Sequence, residues 1–90
     1  MRGSRVVVFD QTFDDAVERY GGYERLDIVL APIVDGLYAN PCGYPLVQDD
    51  WYALCRYART KAFEGIPEFI VSFTIEDNGE VVIRDIEEAY

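Results

Sequence analysis

Histidine is absent from this sequence, and bases are scarce: 8 Lys and Arg stand against 17 Asp and Glu, a formal net charge of −9. Without His the chain lacks the commonest general base and the commonest metal ligand. Neither a Ser-His nor a Cys-His pair can form. A chain this acidic is repelled by bare nucleic acid and by anionic membranes unless its few bases gather on one face. A zinc site would need Cys42, Cys55 and carboxylates, a poor ligand set. The sequence carries no dinucleotide, P-loop, metalloprotease or EF-hand pattern, so neither a cofactor nor a metal is expected.

There are two cysteines, Cys42 and Cys55. They form no CxxC pair, and the expectation is a pair of buried or half-buried thiols in a reducing compartment. The alternative is one disulfide in a secreted chain. The opening "MRGSRVVVFD" has only a short apolar run around Val6 to Phe9, which does not make a secretory signal. No stretch reaches the ~18 apolar residues of a membrane span. A cytoplasmic protein with no membrane association is expected. Ninety residues, half of them hydrophobic, suit one domain over residues 1–90 with a single core.

Local pattern sets the elements. "RVVVFD", Arg5 to Asp10, is β-branched and apolar and predicts a strand. In "TFDDAVERY", Phe13, Ala16, Val17 and Tyr20 share a helical stripe, with Thr12 as N-cap and Asp14 and Asp15 in the first turn. Gly21-Gly22 ends that helix. In "YERLDIVLAPIVDGLYANP", Leu26, Val29, Leu30, Ile33, Val34 and Leu37 keep the helical period. Pro32 predicts a kink or a break into two helices, because it removes a donor and crowds the preceding turn.

Residues Cys42 to Asp50 read as a loop. "WYALCRYA", Trp51 to Ala58, reads as a strand with Cys55 and Tyr57 on one face and Arg56 and Ala58 on the other. "RTKAFEGIPE" is a long connection. Phe69, Val71, Phe73 and Ile75 alternate with Ile70, Ser72, Thr74 and Glu76, as in a strand buried on one side. Asn78-Gly79 predicts a hairpin, and "EVVIRDIE" its returning strand. There, Val81 and Ile83 are expected on one face, and Val82, Arg84 and Ile86 on the other. The order is β-α-α-β-β-β: an α+β fold, an antiparallel sheet of about four strands with two N-terminal helices on one face.

Two features bear on function. The acid pairs Asp14-Asp15 and Asp49-Asp50 read as a helix N-terminus and a solvated loop, although adjacent carboxylates can also hold a cation. Arg56, Arg59 and Lys61 lie within six residues, among Trp51, Tyr52 and Tyr57, and Arg84 is a further candidate for the same region. Such a cluster can neutralise Glu64, Glu68 and Asp85, bind an acidic or C-terminal peptide of a partner, or hold RNA phosphates and stack bases. The net charge argues against nucleic acid. The terminal Tyr90 reads as a frayed end.

The element order, "LYANPCGYPLV", "RYART" and "IPEFIVSFTIEDNGEVVIRDIE" resemble the RelE/ParE superfamily of bacterial toxins, over nearly the whole chain from Val6 to about Glu88. The resemblance implies a first strand, two packed helices and a three-stranded meander. It implies a type II toxin–antitoxin role, with an antitoxin segment as partner. RelE-like members are ribosome-dependent mRNA endonucleases using Arg, Lys and often a C-terminal Tyr or His. ParE-like members poison DNA gyrase by protein contact. In this chain the strand position that usually carries a catalytic Arg holds Ile70, and Glu87-Glu88 replace a His-Arg tail. A nuclease would have to use Arg56, Arg59, Lys61, Arg84 and Tyr90. RNA cleavage needs a base and cations at the phosphate, and two acids there oppose it. The resemblance therefore points to a toxin-like or toxin-derived domain acting through protein contacts, with Arg56, Arg59, Lys61, Arg84, Tyr52 and Tyr57 as partner-binding residues. An endonuclease and a non-toxic adaptor of the same fold are the alternatives.

Overall fold

The computed structural model describes residues 6–47 and 55–89. They form a β-α-α-β-β-β-β order: β1 (Val7–Phe9), α1 (Gln11–Arg19), α2 (Tyr23–Ala39), a 3-10 turn (Pro41–Gly43), β2 (Leu46–Val47), β3 (Cys55–Arg59), β4 (Phe69–Ile75) and β5 (Val81–Glu88). The fold is α+β, with both helices on one face of one sheet. Strand order is β1-β5-β4-β3-β2. The β3-β4-β5 meander is antiparallel, as alternation predicts. β1 lies beside β5 and runs parallel to it, so the sheet is mixed. β2 is a fifth strand in a segment that reads as loop. Its two residues pair with Arg56 and Cys55, a ladder too short to leave a periodic signal.

The core is a single cluster between helices and sheet. Phe13, Ala16 and Val17 of α1 and Leu26, Val29, Leu30, Ile33 and Leu37 of α2 meet Ala58, Phe69, Val71, Phe73, Val81, Ile83 and Ile86. Each large side chain removed from water there contributes about 1.5–3 kcal/mol. Ile86 belongs to the core, against its expected face. The β4–β5 register shifts between Ser72 and Phe73: Ser72 pairs with Asp85 and Phe73 with Ile83. Arg84 is the extra residue of a bulge, which returns Ile86 to the buried side.

Three local expectations are corrected. The N-cap of α1 is Asp10, whose carboxylate accepts from Thr12 N at 3.1 Å, and not Thr12. Of the kink and the break expected at Pro32, the break is excluded, because α2 is one helix through Pro32. The helix loses one donor there, but its buried stripe continues on both sides and holds it together. The β3–β4 connection is partly regular: Phe63 and Ile66 exchange both backbone hydrogen bonds, 3.0 and 2.9 Å, around a tight turn with Glu64 and Gly65 at positive φ.

The Asn78-Gly79 hairpin is present. Gly79, at φ 89°, donates to Glu76 O, and Glu76 N donates to Glu80 O, both at 2.8 Å. Cys42 is exposed rather than buried, Cys55 is buried, and neither is in a disulfide. Among the described residues, no helix is long and apolar enough to cross a membrane.

Candidate functional site

The sheet separates the basic residues singled out by sequence. Directly opposed residues of neighbouring strands share a face. Arg56 pairs with Phe73, so it points to the helix side. Its guanidinium donates to Tyr44 O at 2.6 Å and Cys42 O at 3.2 Å, fastening the 3-10 turn to the sheet. Arg59 pairs with Ile70 and lies on the opposite face with Tyr57, where it bridges Glu68 at 3.1 Å.

Arg84 shares that outer face but sits four β4 residues further along, roughly 13 Å away at ordinary strand rise. Its Nε donates to Thr74 Oγ1 at 3.1 Å and its Nη2 to Glu76 at 3.3 Å, and Asp10 lies 3.7 Å from Nη1. Arg56, Arg59 and Arg84 therefore do not converge. Arg84 joins the hairpin and the α1 cap rather than the Arg56–Lys61 region. Ile70 and Glu87 are direct cross-strand partners, in one row with Arg59. Tyr52, Tyr90, Trp51, Asp49 and Asp50 lie outside the described residues.

Among the acid pairs, Asp14 and Asp15 are held by local hydrogen bonds: the Tyr23 hydroxyl donates to Asp14, and Gln11 Nε2 donates to Asp15 at 3.0 Å. No group of three or more His, Cys, Asp or Glu among the described residues could hold a metal ion.

What the fold does build beside Arg59 and Lys61 is a groove of about 650 Å³. One wall is α2, with Ile28, Val29, Pro32 and Ile33. The other is the β3–β4 connection, Arg59 to Phe63, and Tyr44 also lines it. The connection is held against α2 from two sides. Thr60, buried, exchanges hydrogen bonds with Phe69: its N–H donates to Phe69 O and its Oγ1 accepts from Phe69 N, each at 2.9 Å. Arg25 of α2 reaches across to Gly65 O at 3.3 Å.

The groove is apolar, and Ile28 and Phe63 are 56% and 43% exposed, so large hydrophobic surface remains open along it. Lys61 stands at its lip and is exposed. Pro32 adds a polar feature. It has no N–H, so the Ile28 carbonyl lacks the donor that would close its turn, and both residues line the groove.

Tyr44 is seated by Gly36. A Cβ there would come 2.1 Å from the Tyr44 hydroxyl oxygen, so only glycine lets the ring lie across α2 and meet Phe73 edge-on at 5.6 Å. Sequence reasoning found Arg59 and Lys61 but missed Ile28, Pro32, Tyr44 and Phe63. Two of these left a signal: Ile28 is apolar yet off the buried stripe, and Pro32 sits mid-helix.

The groove offers an apolar channel with cationic and hydrogen-bonding edges. Among the described residues lining it, the polar side chains are those of Tyr44, Arg59, Thr60 and Lys61. Comparison with protein-family models, with curated proteins and with solved structures finds no match.

Proposed function

We propose that this chain is a small cytoplasmic toxin-like or toxin-derived domain that acts through protein–protein contacts. Its groove between α2 and the β3–β4 connection receives an apolar, acid-flanked segment of a partner such as an antitoxin. The observation that carries this reading is the disposition of the basic residues. Arg56 and Arg84 are engaged with the chain's own carbonyls and carboxylates. Lys61 and Arg59 border an open apolar groove in a chain whose bases are otherwise few.

Apolar side chains entering beside Ile28, Pro32 and Phe63 would supply affinity. Carboxylates meeting Lys61 and Arg59 would fix orientation, and the exposed Arg59–Glu68 pair is weak enough to exchange. The same disposition weighs against RNA cleavage, which needs several cations on one phosphate. The row Arg59, Ile70, Glu87 puts an alkyl group and an acid beside the one base. A cellular target such as gyrase would be met by contact in the same way.

The test is expression of the chain alone from an inducible promoter, followed by growth and by ribosome-bound mRNA integrity. Arrest with intact mRNA, relieved by Ile28→Asp or Lys61→Glu, is the expected result. Harmless expression would remove the toxin reading and leave an adaptor role. Cleaved mRNA would restore the endonuclease.

A further inference from the structure

On the flank of α2 away from the groove, a second and smaller depression has the opposite charge. It measures about 230 Å³ and is lined by Phe9, Phe13, Tyr23, Leu30, Ala31 and Val34, with Asp27 and Asp35 at its edge. Successive helical residues turn by about 100°, so Tyr23, Asp27, Ala31 and Asp35 run as one i, i+4 stripe, while Val29 and Ile33 of the groove face the other side of the helix.

The three rings enclose one corner. Phe9 stacks on Phe13 at 5.8 Å, Tyr23 meets Phe9 edge-on at 6.1 Å, and Tyr23 lies 6.2 Å from Phe13. Phe9 and Tyr23 are 41% and 38% exposed, so ring surface faces the opening. The Tyr23 hydroxyl is tethered to Asp14, which fixes the ring. Asp27 and Asp35 are exposed.

We propose that this pocket receives one arginine or lysine side chain of a partner protein. Ring faces attract a cation within about 6 Å of their centroids, and carboxylates at the mouth neutralise it as it loses water. A volume of about 230 Å³ is below the usual range of small-molecule sites, roughly 300–1,000 Å³, and suits one long side chain. Its aliphatic stem covers Leu30, Ala31 and Val34 while its head reaches the rings and acids. The chain's net charge of −9 favours a basic partner surface. The inference deepens the protein-contact reading and rests on it for its biological meaning: a partner crossing α2 sets an acid on one flank and a base on the other.

The experiment titrates the isotope-labelled full chain with the blocked pentapeptide acetyl-Ala-Val-Arg-Val-Ala-amide, its norleucine counterpart and spermidine, monitored by NMR. The arginine peptide is expected to move the Phe9 and Tyr23 ring signals and the Asp27 and Asp35 amides. An exposed charge–ring contact is worth about 2- to 5-fold in affinity, so the norleucine peptide should bind at least about 2-fold more weakly. The Asp27→Asn/Asp35→Asn variant, which removes the neutralising carboxylates, should weaken the arginine peptide by a similar factor. Ala31→Leu, which fills the mouth without altering charge, should weaken binding similarly and covers the case in which the double variant misfolds.

Equal affinity for the norleucine peptide, undiminished binding by the variants, or shifts spread over the acidic surface would overturn the pocket. Spermidine binding as tightly as the peptide would overturn its assignment to a protein. None of these outcomes touches the groove on the other flank, which growth and mRNA integrity test separately.

Discussion

Gly36 sits in the middle of a 17-residue helix, where alanine would ordinarily be better by about 1 kcal/mol. The Tyr44 ring makes the opposite expectation here. An added methyl has no room unless Tyr44 leaves its edge-on contact with Phe73. Gly36→Ala should therefore lower unfolding stability by ~1–3 kcal/mol in denaturant titration, the range for overpacking. An increase in stability would mean that Tyr44 swings away without loss. Tyr23 gives a second test at this scale. Burial, the hydrogen bond to Asp14 and the charges of Asp14 and Glu18 raise its pKa above the ordinary 10.0. The folded state thus holds the phenolic proton more tightly than the unfolded state does. The associated stability is complete below pH 10.0 and is lost as pH rises toward the folded value. Tyr23→Phe should flatten the decline of Tm above pH 10.0, with the remaining tyrosines as background. An unchanged alkaline slope would show that Tyr23 does not drive it.

At the scale of elements, the sequence declared those built on repeated pattern and hid those built on single residues. The buried stripes of α1 and α2, the Gly21-Gly22 break and the alternation of β4 all follow from periods of 3.6 or 2 and from positive φ. The bulge at Arg84 could not be read, because one extra residue leaves the composition of β5 unchanged while reversing the face of Ile86. The unbroken α2 could not be read either: Pro32 argues for a break locally, and only the core on both sides outweighs it. Because Pro32 is exposed and its absent N–H leaves Ile28 O without a helical donor, Pro32→Ala should stabilise α2. The gain is bounded by the interior proline penalty of ~3 kcal/mol, and thermal unfolding reads it. A loss would mean that the ring itself packs. Arg84→Met keeps the stem but removes the cation that faces the part-exposed Asp10 and Glu76 carboxylates, which keep their Thr12 and Thr74 donors. It should reduce stability by up to about 1 kcal/mol per exposed pair lost and speed amide exchange in β1 and the 76–80 turn. Unchanged exchange would show that the guanidinium does not join them.

For the whole molecule, what the sequence could not disclose was which charges meet. Spacing placed Arg56, Arg59 and Lys61 together on paper. Strand alternation then sends Arg56 to the helix side and Arg59 to the other, and the fold closes a groove over α2 through the remote Arg25–Gly65 contact, 40 residues apart. Two opposing electrostatic terms remain. Ion pairs of Arg59 and Arg84 favour the fold and are weakened by salt. Self-repulsion among 17 acids and 8 bases opposes the compact state and is also weakened by salt. Exposed pairs are worth about 0–1 kcal/mol each, whereas an excess of nine negative charges acts over the entire surface. Repulsion should dominate. Raising KCl from about 0.05 to about 0.5 M shortens the screening length to a few ångströms and should raise Tm by roughly 2–5 °C, equivalent to less than about 1 kcal/mol for a domain of this size. The Arg84→Met variant, one positive charge poorer, should gain more from the same salt. A fall of Tm with salt would place the ion pairs ahead of the net charge, and Arg84→Met would then lose that salt sensitivity instead of gaining it.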